Sequence, residues 1–133
     1  MKIIMLLGPS NCGKTTTLNL VYDDLKSQGG VSTCKQQEGG NPNDFSDIIK
    51  LNGKLIAILT MGDYAYRIID CIQDFELKNC DIFITACNDR FVKPQRLVSS
   101  DPNNPIIHKI PQLTIASQSH DNAMIVHQIL TLI

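Results

Sequence analysis

The sequence predicts an α/β domain of three layers, with a mostly parallel five-stranded sheet and one antiparallel edge strand. Short, continuously apolar runs alternate with segments of helical period, which is the pattern of strands covered on both faces by crossover helices. An Asn52-Gly53 pair stands between two strand-like runs, the strongest local signal for a hairpin. The chain has 133 residues, enough for one domain and its core and too few for a separate substrate domain. Residues 1–133 are therefore expected to form a single unit whose ligands are met by its own loops.

Each element follows from its pattern. Lys2 to Leu7 is a buried strand, and Lys14 to Ser27 a helix with Leu18, Val21, Tyr22 and Leu25 at helical spacing, ended by Gly29-Gly30. Gly30 to Asp44 is polar, without period, and expected to be a long functional loop. Phe45 to Lys50, with Asp44, Ser46, Asp47 and Lys50, fits an edge strand, and Leu55 to Leu59 a central one. Asp63 to Phe75 forms a helix with Ala65, Ile68, Ile69 and Ile72 on its buried face. Ile82 to Cys87 is another buried strand, Asn88-Asp89 reads as a turn, and Asn88 to Ser100 as a whole has no clear pattern. Asp101 to Pro105 is a loop, Ile106 to Ile110 a last strand, and Asp121 to Leu132 a helix packed through Ala123, Val126, Ile129 and Leu130.

Composition excludes several classes. Net charge is -1 with dispersed cations, three tyrosines and no tryptophan, so no basic or stacking surface for nucleic acid is expected. No apolar run approaches a membrane span, and the stretch after Lys2 is shorter than the core of a secretory signal. The five cysteines, Cys12, Cys34, Cys71, Cys80 and Cys87, form an odd set without a C-x-x-C pair and fit free thiols in a reducing, cytoplasmic setting. His108, His120 and His127 have no spacing suited to a metal.

The chemistry concentrates in Gly8-Pro9-Ser10-Asn11-Cys12-Gly13-Lys14-Thr15, which fits G-x-x-x-x-G-K-[ST] between an apolar strand and a helix. Such a loop turns successive backbone N–H groups toward phosphate oxygens at a helix N-terminus. Lys14 would reach the β- and γ-phosphates, Thr15 would bind Mg²⁺, and Thr16 would add an N–H and a short polar side chain. The segment resembles the P-loop nucleoside triphosphatase superfamily. That resemblance implies a site at Gly8, Ser10, Asn11, Cys12, Gly13, Lys14, Thr15 and Thr16, with Mg²⁺ and ATP, or else GTP.

Hydrolysis further needs a carboxylate near the metal and a group placing the attacking water. After Leu55 to Leu59 the chain reads Thr60-Met61-Gly62-Asp63. Asp63 is the candidate metal or water partner, Gly62 a donor to the terminal phosphate, and Thr60 a further polar group; a helix cap is the plainer role for Asp63. The element order also resembles small GTPases, in which the long loop and the post-strand glycine respond to the γ-phosphate. By that likeness Ser32, Thr33 or Thr60 would sense phosphate or metal, and loop 30–44 would meet a protein partner. Two departures stand against it: D-x-x-G is replaced by Thr60-Met61-Gly62-Asp63, and N-K-x-D by Ile107-His108-Lys109-Ile110. Arg90, Lys93 and Arg96 suit a kinase lid over 88–100, with Arg90 nearest the phosphates. The expectation is Mg²⁺-dependent ATP hydrolysis with Lys14, Asp63 and Arg90 as the reactive set. A small kinase, or a nucleotide-binding regulator with little turnover, is the alternative.

Overall fold

A computed structural model describes residues 1–133. Eleven elements follow in order: β1 (Lys2–Gly8), α1 (Lys14–Ser27), β2 (Val31–Ser32), β3 (Gln36–Gln37), β4 (Phe45–Leu51), β5 (Lys54–Leu59), α2 (Ala65–Leu77), β6 (Ile82–Asn88), α3 (Val92–Ser99), β7 (Ile106–His108) and α4 (Ile115–Thr131). The seven strands form one sheet in the order β2-β4-β5-β6-β1-β7, with β3 pairing separately to β4. The expected α/β class is present, but the sheet is mixed rather than mostly parallel. Pairings β5·β6, β6·β1 and β1·β7 are parallel, and β2·β4, β3·β4 and β4·β5 are antiparallel.

The difference arises in the segment expected to be a periodless loop. Val31–Ser32 and Gln36–Gln37 each add two residues to the outer side of β4, so β4 is not an edge. Pairing here spares β4 a row of unpaired backbone groups. Asp47 explains how so polar a strand can be covered. Wholly buried, its carboxylate accepts hydrogen bonds from Tyr22 Oη at 2.9 Å, Ser32 Oγ at 2.5 Å and the Cys34 N–H at 3.0 Å. A buried carboxylate without such donors would be strongly unfavourable.

One apolar cluster lies beneath α1 and α4, joining Leu18, Val21, Leu25, Ile125 and Ile129 to Ile4, Leu6, Ile58 and Ile84. The other lies beneath α2 and α3, joining Ile68, Ile72, Phe75 and Val98 to Ile3, Met5, Leu59 and Phe83. Alternate residues of β1 therefore serve opposite faces, as strand geometry dictates. Helix α2 buries Cys71 and Phe75 rather than Ala65 and Ile69, and α4 buries Asn122 and Ile125 rather than Ala123. Helix α4 also starts six residues before Asp121, because Thr114 and Ser117 cap it reciprocally. Residues 92–99, unassigned by pattern, form α3 with Pro94 and Val98 buried. No helix is long and apolar enough to cross a membrane.

Candidate functional site

Strand β1 delivers Gly8 to the C-terminal end of the sheet, level with Asn88 at the end of β6. From there Pro9 to Gly13 loop over the N-terminus of α1. Asn11 and Gly13 have φ of 60° and 94°, left-handed values that reverse the chain and that asparagine and glycine tolerate best. Helix α1 has no side-chain cap and no acid in its first turn, so its opening N–H groups remain available to an anion.

Lys14 is buried inside this curve. Its ammonium donates to Gly8 O at 2.9 Å and Pro9 O at 2.6 Å, and lies 3.8 Å from Cys12 Sγ. An ammonium carries three protons, and Gly8 O, Pro9 O and Cys12 Sγ take all three here; the bond to the thiol sulfur, a weak acceptor, is the one a phosphate oxygen would replace. Behind the loop, Gln118 of α4 donates to Cys12 O at 2.8 Å, and Thr17 Oγ1 donates to Gly13 O at 2.7 Å. Cys12 itself is fully buried and faces away from solvent.

Facing the loop is a cleft of about 450 Å³ without a single hydrophobic lining residue. Ser10, Asn11, Gly13, Lys14, Thr15 and Thr16 of the loop and the start of α1 line it together with Asn41, Asn43, Asp44, Gly62 and Asp63. Of the sequence-derived site residues, Gly8 and Cys12 support the loop from inside rather than lining the cleft.

Asp44, noted in the sequence only with the edge strand and not as a site residue, meets the motif directly. Its Oδ1 accepts from Thr15 Oγ1 at 3.3 Å, and that hydroxyl lies equally far from Thr60 O. Burial pushes the Asp44 carboxyl above its usual range; the Thr15 hydroxyl opposes the shift and the charge of Asp63 adds to it. Asp63 lines the same cleft and is exposed. It does not cap α2, whose N-cap position belongs to Tyr64.

The remaining candidates are displaced from the cleft. Arg90 folds back so that its backbone N–H and Nε lie 3.0 and 3.3 Å from Asn88 Oδ1. Asn88, read from sequence as a turn, is instead a buried strand residue whose Nδ2 donates to Ser10 Oγ at 2.9 Å. Arg90 thus meets the loop only through Asn88. Lys93 and Arg96 are exposed on α3. Thr60 is fully buried; it donates to Asn43 O at 3.1 Å and accepts from the Phe45 N–H at 2.9 Å, which ties down the strap carrying Asp44. Ser32 serves Asp47, and Thr33 donates to Ile48 O at 2.7 Å. The strap is fastened further by Asn19, whose Nδ2 donates to Asn43 O at 3.0 Å, and by an ion pair between Glu38 and Arg67 of α2.

All five cysteines are free thiols, and burial pushes Cys71 and Cys87 up to about 12, which removes them as nucleophiles at neutral pH. No group of three His, Cys, Asp or Glu side chains could hold a metal by itself. No protein-family model, curated protein or solved structure matches this chain.

Proposed function

We propose that the chain binds ATP with Mg²⁺ in this cleft and hydrolyses the terminal phosphoanhydride, as a minimal member of the P-loop nucleoside triphosphatases. The observation that carries this reading is the convergence of an uncapped helix N-terminus, the Lys14 ammonium and two carboxylates on one cleft with no hydrophobic wall. An α/β sheet with the loop at the carboxyl end of an inner strand also supports the P-loop fold, since ligands of open sheets gather there.

The donor set suits Mg²⁺, which takes oxygen ligands and usually shares one or two carboxylates with substrate phosphates. Thr15, Asp44 and Asp63 are the residues that would hold it, and when bound it neutralises charge developing on the phosphate oxygens. Helix N–H groups and Lys14 orient the phosphates. Asp63, at the open rim, orients water and takes its proton as the oxygen attacks the γ-phosphorus; the bond to the β-phosphate oxygen breaks and ADP leaves with the electron pair. Water is preferred to a second substrate as acceptor because residues 92–99, suggested as a kinase lid, form a helix packed through Pro94 and Val98.

The test separates affinity from turnover. Asp63→Asn and Asp44→Asn should each lower Mg²⁺-dependent phosphate release by about 10²-fold or more, while Mg²⁺-free ATP affinity stays within a few-fold. Turnover at the parent rate in both variants would refute the assignment. Asp44 adds a pH signature. Its raised pKa means that folding favours the neutral carboxyl, so ionised Asp44 opposes folding at neutral pH. That opposition fades as pH falls through the raised value toward the ordinary 3.8. Without Mg²⁺, Asp44→Asn should therefore melt no lower than the parent at pH 7, with the difference shrinking on acidification. Guanine is not expected to be strongly preferred, since N-K-x-D is absent. A GTP affinity more than about a hundredfold above that for ATP, roughly 2.7 kcal/mol, would contradict the reading.

A further inference from the structure

The chemistry above uses the front of the loop; its back is closed by the first turn of α4. There the reciprocal cap of Thr114 and Ser117 fixes where the helix starts and so places Gln118, whose own N–H donates to Thr114 O at 3.0 Å. The half-buried Gln118 side chain reaches the loop, and its Nε2 donates to Cys12 O at 2.8 Å and to Asn122 Oδ1 at 2.9 Å. Both partners can only accept, so the amide nitrogen must face them, and its two protons are both used.

The bond to Cys12 O acts on a neighbouring group. In a trans peptide the C=O and the following N–H point in opposite directions. Holding Cys12 O toward α4 therefore turns the Gly13 N–H away from α4, on a residue that lines the phosphate cleft. No backbone carbonyl accepts from that N–H. Gly13 is also the point at which the loop could most easily reverse this peptide, since glycine takes φ of either sign and here has 94°. Reversal would swing a carbonyl oxygen to where the N–H stood, and its dipole would repel phosphate. The space behind the Gly13 Cα is already filled: a Cβ there would collide with Gln118 Nε2 and lie 3.1 Å from Lys109 Cε.

We propose that Gln118 is a positioning residue for the loop: by holding Cys12 O it locks the Cys12–Gly13 peptide in the orientation that offers the Gly13 N–H to a phosphate oxygen. The assignment rests on the phosphate reading above and extends that site to the last helix, across 106 residues of sequence.

Calorimetry with inorganic tripolyphosphate and Mg²⁺ tests this on the parent, Gln118→Ala, Gln118→Met and the control Gln128→Met, at an exposed glutamine of the same helix. Alanine and methionine both favour helix, so α4 should persist, and melting curves verify it. Methionine keeps the length and bulk of glutamine but has no donor. Both Gln118 variants should bind about three- to tenfold more weakly, as for the loss of one hydrogen bond, and Gln128→Met should match the parent. The Gly13 amide resonance, which saturating tripolyphosphate should shift in the parent, should respond much less in Gln118→Met. Parent-like affinity in Gln118→Met, or an undiminished Gly13 response, would overturn the assignment, reduce Gln118 to a space-filler and leave the phosphate site standing. If the parent itself does not bind tripolyphosphate, the phosphate reading falls and the positioning role with it.

Discussion

Lys14→Ala is expected to weaken triphosphate binding by about 1.5–3 kcal/mol, roughly ten- to 150-fold, with the fold retained. The lost interaction is charge-assisted and made from a buried ammonium already positioned by the Gly8 and Pro9 carbonyls, so little ordering is needed when phosphate arrives. The fold survives because Lys14 belongs to neither apolar cluster and Gly8 O keeps a second donor, the Asp89 N–H at 3.1 Å. Titration calorimetry at constant ionic strength checks the result. Equal affinity in parent and variant would end the claim that the loop binds phosphate.

Gly8→Ala should have the largest effect on stability, a loss of about 2–3 kcal/mol. An added Cβ would lie 2.4 Å from Lys109 O and 2.9 Å from Cys12 Sγ. The carbonyl cannot simply retreat. The Lys109 N–H is bound to Leu7 O at 2.7 Å, and its fully buried side chain pairs with Asp121 at 2.5 Å. Gly40→Ala supplies the control, because a Cβ there meets nothing within 4 Å. Urea midpoints at constant slope give the comparison; equal midpoints for the two variants would show that the end of β1 yields freely.

The loop Gly8 to Thr15 was legible because all its defining residues are contiguous, and the Asn52-Gly53 hairpin because its turn chemistry is local. What sequence hid was brought together from afar. Strands of two residues, such as β2 and β3, fall below any detectable period. Ser117 in place of Glu or Gln at the third helical position weakened the capping signal that starts α4. Asp44 carries no motif of its own, yet a topological argument was open. A strand antiparallel to a central one must begin where that strand ends, and Ser46 indeed pairs with Leu59. The acid just before Phe45 was thus bound to lie at the carboxyl end of β5, the end of the sheet at which β1 delivers Gly8. Asn88 was misjudged because its place, level with Gly8 on the neighbouring strand, is set by register rather than by its neighbours in sequence.

The inner position of β1 has a consequence for time as well as for structure. Held between β6 and β7 and buried along nearly its whole length, it carries the loop Gly8 to Thr15 on the kind of core strand whose opening is expected to need global unfolding. The strap that presents Asp44 is anchored by two-residue pairings and a handful of side-chain bonds, so it belongs to a unit able to open alone. A ligand spanning Thr15 and Asp44, as proposed above, would join a slow unit to a fast one. Each opening of the strap would then break that ligation, and exchange at the site would be timed by the weaker half.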